Sequence, residues 1–226
     1  SKEKIYFAID TNKKTLELIL IILIAFSTLA IGVQPQPGVN FKPTKEIIPT
    51  ESKNKIEVVE LFWYGCVHCY NMDPYLDKWA DNLPKDVTFK RVPAIPRKDW
   101  VESAKAFYAL ESLGLLNKLH EKLFDAIHKE KQFKHNDTKA LINWITTTGK
   151  LDKKNVEAAF NSFSMKSKLS RSFKIFKAAG ATGVPTMIID GKYFTSSTMA
   201  GGEQNAIDIM NFIIKNVRKD KAKAKK

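Results

Sequence analysis

Residues 56–70 read Ile56-Glu57-Val58-Val59-Glu60-Leu61-Phe62-Trp63-Tyr64-Gly65-Cys66-Val67-His68-Cys69-Tyr70. The stretch from Ile56 to Tyr64 is rich in β-branched and aromatic residues and almost continuously apolar, the pattern of a central strand buried on both faces. Glu60 is the one charged group in its second half. Gly65 breaks the strand, and a helix opens at Cys66 and runs to about Ala80. Strand, tight turn and helix follow one another with two cysteines at the junction.

Outward from that junction, Val87 to Val92 is a second strand candidate, ended by Pro93 and Pro96. From about Asp99 to Ala179 the apolar spacing turns helical. Ala104, Phe107, Tyr108, Leu110 and Leu113 recur on one stripe, and Leu119, Leu123, Ala126 and Ile127 on another. Asn136-Asp137-Thr138 is a capping signal for a shorter helix that carries Leu141, Ile142, Trp144 and Ile145. A further helix spans about Ser167 to Ala179, ended by Gly180. Thr186 to Ile189 is then a short strand, Asp190-Gly191 a hairpin turn, and Tyr193-Phe194 its partner. Ala206 to Val217 is a closing amphipathic helix. A mixed α/β sheet interrupted by a helical insertion accounts for this order.

The chain has 226 residues and only two cysteines, which rules out a multi-disulfide framework and a four-cysteine zinc site. Its formal net charge is +13. The densest basic run, Lys215 to Lys226, has no aromatic interleaving and no nucleic-acid motif. It reads as a frayed, solvated tail. Nearer the start, Leu18 to Val33 is 16 residues without a charge, preceded by Lys2, Lys4, Lys13 and Lys14. That is the pattern of a secretory signal or an uncleaved anchor, which would put the body of the chain outside the cytoplasm. Gln34-Pro35-Gln36-Pro37-Gly38 follows as a linker.

An exported chain meets an oxidising compartment, where paired cysteines form disulfides. A bridge spanning two residues, Cys66-Val67-His68-Cys69, closes so short a loop that it gains little as a staple. It reads as a redox couple instead. At a helix start, free N–H groups and the helix dipole stabilise an anion, so the Cys66 thiol is expected at a lowered pKa, roughly 3.5–7.5 in such motifs. A protonated His68 would add to this. Cys69, one turn further in, is expected to be buried and to act as the resolving thiol. A zinc half-site fits poorly: the nearest other histidine, His120, is 51 residues past Cys69, and His120 and His128 are eight apart.

Val59 to Tyr70, with Gly183-Val184-Pro185-Thr186 far downstream, resembles the thioredoxin superfamily and within it the DsbA-like thiol:disulfide interchange proteins. The resemblance covers roughly residues 39–217. It implies a thioredoxin-like domain from 39–98 and 180–217, with 99–179 as an inserted all-helical domain and 218–226 as the basic tail. It implies catalytic roles for Cys66, Cys69, His68 and Glu60. Pro185 would be a cis-proline facing the cysteine pair, and Val67, Val184 and Pro185 would line the substrate groove. Glu60 would be the buried glutamate under the active site, with Arg91 where relatives often carry a lysine. Val67 replaces a proline common in the best-known form. The implied activity is that of a periplasmic disulfide donor needing no cofactor beyond its own Cys66–Cys69 disulfide. The implied protein is a monomer that acts on reduced, unfolded exported proteins and is reoxidised by a DsbB-like quinone-linked membrane oxidase. It contacts no nucleic acid, and touches membrane only through its N-terminal segment. A disulfide isomerase or reductase, or an exported binding module on the same fold, is the alternative. The 23 residues between Val33 and Glu57 leave no room for an isomerase's dimerisation domain.

Overall fold

The computed structural model describes residues 34–52 and 54–224. The apolar run from Leu18 to Val33, and with it the signal or anchor, lies outside the described residues. Among the described residues, no helix is long and apolar enough to cross a membrane. From Gln36 onward the described chain forms one compact unit.

The expected central strand is β2, Ile56–Phe62, buried along its whole length. It runs parallel to β3, Val87–Pro93, and is joined to it through helix α1, Val67–Ala80. On its other side β2 pairs antiparallel with β4, Thr186–Ile189. β4 turns back into β5, Tyr193–Thr195, and β5 pairs with a two-residue edge strand, β1, Lys42–Pro43. The sheet order is β1-β5-β4-β2-β3. Two residues with a proline carry too little pattern for β1 to be legible in the sequence.

Alternation along β2 sorts its side chains between two layers. Ile56 and Val58 pack with Met72 and Leu76 of α1 and with Met210, Ile213 and Val217 of the last helix. Val59 and Leu61 face the other way, onto Ile175 and Ala179. Phe62 reaches a third cluster shared with the helical insertion, among Phe107, Leu119, Leu123 and Phe124. Glu60 has the parity of Val58 and Phe62, so it points to the α1 side.

The insertion lies between β3 and β4. After a 3-10 turn at Lys98–Trp100 come α2 (Val101–Ser112), α3 (Leu116–His128), α4 (Thr138–Gly149), α5 (Lys153–Phe160) and α6 (Met165–Ala179). Asp137 caps α4, its carboxylate accepting from the Ala140 N–H at 3.0 Å, as the capping signal predicts.

The C-terminal end corrects the sequence reading. Beyond a one-turn helix α7, Ser197–Ala200, the closing helix α8 runs from Glu203 to Lys223 rather than stopping at Val217. The basic run is therefore helical through Lys223, where the sequence reading has a frayed tail. Two of its cations find acids elsewhere on the body: Arg218 grips Asp86 through two nitrogens, at 2.6 and 3.0 Å, and Lys221 Nζ lies 2.7 Å from Asp190. Charge density alone does not reveal such partners, which are 31 or more residues away in sequence.

Candidate active site

The strand-to-helix junction forms as the sequence predicts, with one refinement. Cys66 is not the first helical residue of α1 but its N-cap, extended at φ −94° and ψ 116°. The Cys66 N–H donates to the Trp63 carbonyl at 2.9 Å, which closes the turn. Gly65 belongs there because a Cβ would run into the Trp63 indole and the His135 ring. Trp63 itself stacks on Trp100, ring centroids 4.0 Å apart.

The cap position sets the chemistry of Cys66. Its sulfur accepts from the Cys69 N–H at 3.4 Å, taking the place a serine oxygen holds at other helix starts. Cys66 is half-buried and Cys69 fully buried, both as free thiols. The Cys66 pKa is lowered to about 6. The chief cause is the hydrogen bond from the Cys69 side chain, which outweighs partial burial; backbone N–H groups of Cys69 and His68 add to it, and the His68 charge contributes least. The Cys69 thiol moves the opposite way, pushed well up by burial and by the nearby Cys66 and Glu60 charges. One sulfur is thus poised as an anion and its neighbour as a thiol.

Val184-Pro185 comes against this pair from the far end of the chain. The peptide bond is cis, and the Val184 carbonyl oxygen is 3.5 Å from Cys66 Sγ. Val67 is 51% exposed beside the sulfur. His68 is also exposed. The structure therefore brings Val184-Pro185 against the start of α1, where Val67 and His68 are exposed, Cys66 is half-buried, Cys69 and Pro185 are buried, and Glu60 lies within charge range of Cys69.

Glu60 is 1% exposed, and burial raises its pKa to about 8, against the opposing pull of Arg91. The β2–β3 register sets Glu60 directly opposite Arg91. Arg91 donates from Nε to Glu60 at 3.1 Å, and from Nη2 to Asp73 at 2.8 Å and Asp77 at 2.6 Å. Sequence reasoning names Glu60 and Arg91 but misses Asp73 and Asp77. A signal for them exists: both follow Cys69 at four-residue steps, on its face of α1. His120 and Tyr64 were also missed, as partners. The Tyr64 hydroxyl lies 2.6 Å from His120 Nδ1, and His120 Nε2 lies 3.2 Å from Asp73. No local pattern points to that set, because it joins the turn between β2 and α1, α1 itself and α3.

The insertion grips the cysteine helix at a second place. His128 Nε2 bonds the Tyr64 carbonyl at 2.7 Å, and its ring stacks on Tyr70, whose hydroxyl donates to Asp125 at 2.8 Å. Among the described residues, no three His, Cys, Asp or Glu side chains are grouped to hold a metal ion.

Comparison with known proteins agrees with this geometry. A family model described as a DSBA-like thioredoxin domain matches residues 57–208. The curated thiol:disulfide interchange protein DsbA of Azotobacter vinelandii is 35% identical over 205 residues, covering 87% of this chain and 95% of that protein. The protein of the same name from Pseudomonas aeruginosa is 35% identical over 214 residues, covering 92% and 99%. The crystal structure of Pseudomonas aeruginosa DsbA aligns with a TM-score of 0.77 at 35% identity, covering 85% of this chain and 97% of that one. The oxidoreductase DsbA from Xylella fastidiosa aligns at 0.74 with 25% identity, covering 81% and 98%. With a family match over more than half its length, and with two thiols already set apart by their surroundings, this chain belongs to the DsbA-like thioredoxin-domain family and is a thiol:disulfide oxidoreductase.

Proposed function

We propose that the protein works in the oxidising direction, donating its Cys66–Cys69 disulfide to reduced, unfolded proteins exported to the periplasm. A substrate thiolate attacks Cys66 Sγ. The Cys66–Cys69 bond breaks, a mixed disulfide with the substrate forms, and Cys69 leaves as a thiolate. Glu60, protonated at neutral pH by virtue of its raised pKa, gives that thiolate its proton. A second substrate thiolate then attacks the substrate sulfur of the mixed disulfide and expels Cys66. The substrate has lost two electrons and gained a disulfide, and the enzyme is left as a dithiol.

The observation that carries this direction is the contrast between the two sulfurs. Cys66 is a good leaving group because its thiolate is stabilised, so the reduced enzyme is favoured and the couple is oxidising. Val67 and Val184, with the buried Pro185 beside them, form the contact surface for an extended substrate, whose backbone pairs beside Val184 in the manner of an added strand. His68 assists the thiolate from the exposed side. Reoxidation falls to a membrane oxidase of the DsbB kind, and the protein acts as a monomer without a further cofactor. Export through the apolar segment before residue 34 brings it to its substrates.

The deciding experiment is equilibration of the Cys66–Cys69 couple with glutathione. A potential more positive than that of glutathione supports the donor reading. A value near the roughly −270 mV typical of thioredoxin would make the protein a reductase. Cys66→Ser should abolish oxidation of a reduced substrate; retained activity would move the chemistry elsewhere.

A further inference from the structure

Three carboxyl groups and one guanidinium share the space behind the cysteines. Glu60 has one cationic partner, Arg91. Asp77 has Arg91 and also solvent, its side chain being 46% exposed. Asp73 is buried like Glu60, but it has a second neighbour that Glu60 lacks, the imidazole of His120. Arg91 supplies a single positive charge to all three. Asp77 is kept ionised by solvent, which leaves two buried carboxyls, Glu60 and Asp73, drawing on one cation already shared with Asp77; such a site does not hold both as anions, so one keeps its proton.

The surroundings of His120 bear on which one. Its ring is 5% exposed and packs edge-on against Phe62, Phe107 and Phe124, with centroids 5.1, 6.1 and 5.2 Å away. In so apolar a nest the imidazole is held neutral, its pKa pushed down chiefly by burial. A neutral ring has one donor and one acceptor. The other ring nitrogen, Nε2, faces the Asp73 carboxylate, which can only accept, while the Tyr64 hydroxyl, held protonated by burial, lies 2.6 Å from Nδ1 and is free to donate to it. The ring proton therefore sits on Nε2, facing Asp73 Oδ1 at 3.2 Å, though off the line of a well-aligned hydrogen bond. Asp73 thus faces the Nε2–H dipole on one side and the Arg91 guanidinium on the other, and its pKa is held below the ordinary carboxylate value by His120 and Arg91 against the opposing effect of burial.

We propose that His120 is a positioning residue of the redox site: by holding Asp73 as the anion, it leaves the proton of the buried carboxyl cluster on Glu60, beside Cys69. The helical insertion then contributes to the chemistry through one side chain of α3. The charged and titratable groups facing Glu60 are Arg91 from β3, Asp73, Asp77 and Cys69 from α1, and Tyr64 from the turn between β2 and α1. Those facing His120 are Tyr64, Asp73, Asp77 and Arg91. The consequence for turnover rests on the proton-donor reading of Glu60 given above. The placement of the proton does not.

The test follows the Glu60 carboxyl by NMR in full-length reduced protein carrying carbon-13 in its glutamate side chains, assigned by its loss in Glu60→Gln. His120→Phe preserves the aromatic nest but removes the donor to Asp73. Asp73 then competes for the proton and Arg91 is freed toward Glu60; both changes pull the Glu60 midpoint down, by about one pH unit or a tenfold change in proton affinity. His120→Gln, whose amide can both donate to Asp73 and accept from Tyr64, should restore most of the shift. A Glu60 midpoint unmoved by His120→Phe, or a Gln variant indistinguishable from Phe, overturns the proposal. Nitrogen-15 shifts of the wild-type protein give a readout that needs no variant: neutral His120 with its proton on Nε2 is expected, and a proton on Nδ1 would overturn the argument. Glu60→Gln tests the other reading separately. Unaltered exchange rates in that variant would remove Glu60 as the proton donor, while the titration would still show whether His120 places its proton.

Discussion

At the residue scale, the Cys66 thiolate owes more to its position than to the histidine beside it. The motif suggests His68 as a principal cation, yet the Cys69 side chain and the N–H groups at the helix start matter more, and the His68 charge contributes least of the named causes. An exposed charge is screened by water, whereas a donor held against the sulfur by the helix is not. Thiolate absorbance followed with pH should give a Cys66 midpoint near 6 in the reduced protein. Cys69→Ala should raise that midpoint further than His68→Ala does. The reverse ranking would restore His68 as the dominant influence, and a wild-type midpoint above about 8 would mean that no thiolate is stabilised at all.

At the element scale, the site depends on a strand register, and the hairpin and the last helix each on an anchor. Glu60 meets Arg91 because β2 and β3 pair in the register that sets them opposite; a one-residue slip would send one of them to the other face. The β4–β5 hairpin turns on Asp190 and Gly191, both at positive φ (53° and 64°). At Gly191 a side chain would also run into the Ile48 carbonyl, and the Ile48 N–H donates to the Gly191 carbonyl at 2.9 Å. Gly191→Ala should therefore cost at least about 1–2 kcal/mol in denaturant unfolding, the scale of a left-handed residue with a Cβ. The end of α8 is held more lightly. Arg218→Ala removes an ion pair whose two side chains are nearly half exposed, so the loss should be no more than ~1 kcal/mol. Its clearer sign should be faster hydrogen exchange in the last turns of α8. Unchanged exchange there would mean that packing of the Val217 turn alone holds the helix.

At the scale of the whole molecule, the two thiols tie stability to redox state. The Cys66 pKa is depressed from 9.0 to about 6 in the folded reduced protein. Its thiolate therefore contributes stability that is fully present above about pH 9 and is lost as pH falls through about 6. The disulfide form has no such group. The reduced protein should be the more stable one, and its margin over the oxidised form should widen from pH 6 to 9. Glu60 acts with the opposite sign: its raised pKa favours the fold while it is protonated, and that benefit is lost as pH rises from about 4.5 through about 8. Paired denaturation of both redox forms across this range separates the two effects. An oxidised form that is the more stable at pH 8 would make the Cys66–Cys69 bridge a structural staple.

Local pattern settled much of this protein. The apolar run from Ile56, the break at Gly65, the helical spacing after Asp99 and the Asp190-Gly191 turn each state a preference that neighbouring residues can satisfy by themselves, and the cysteine pair falls where strand meets helix. The strength of the site is a different matter. Which way Glu60 points follows from strand parity, but Arg91, Asp73, Asp77, His120 and Tyr64 become one network only when β2, β3, α1 and α3 are packed together. The same holds for Val184 against Cys66, 118 residues apart, and for Arg218 on Asp86, 132 apart. Burial and charge proximity are properties of side chains brought together from distant segments. They carry no period along the chain, so they arise only with the tertiary structure.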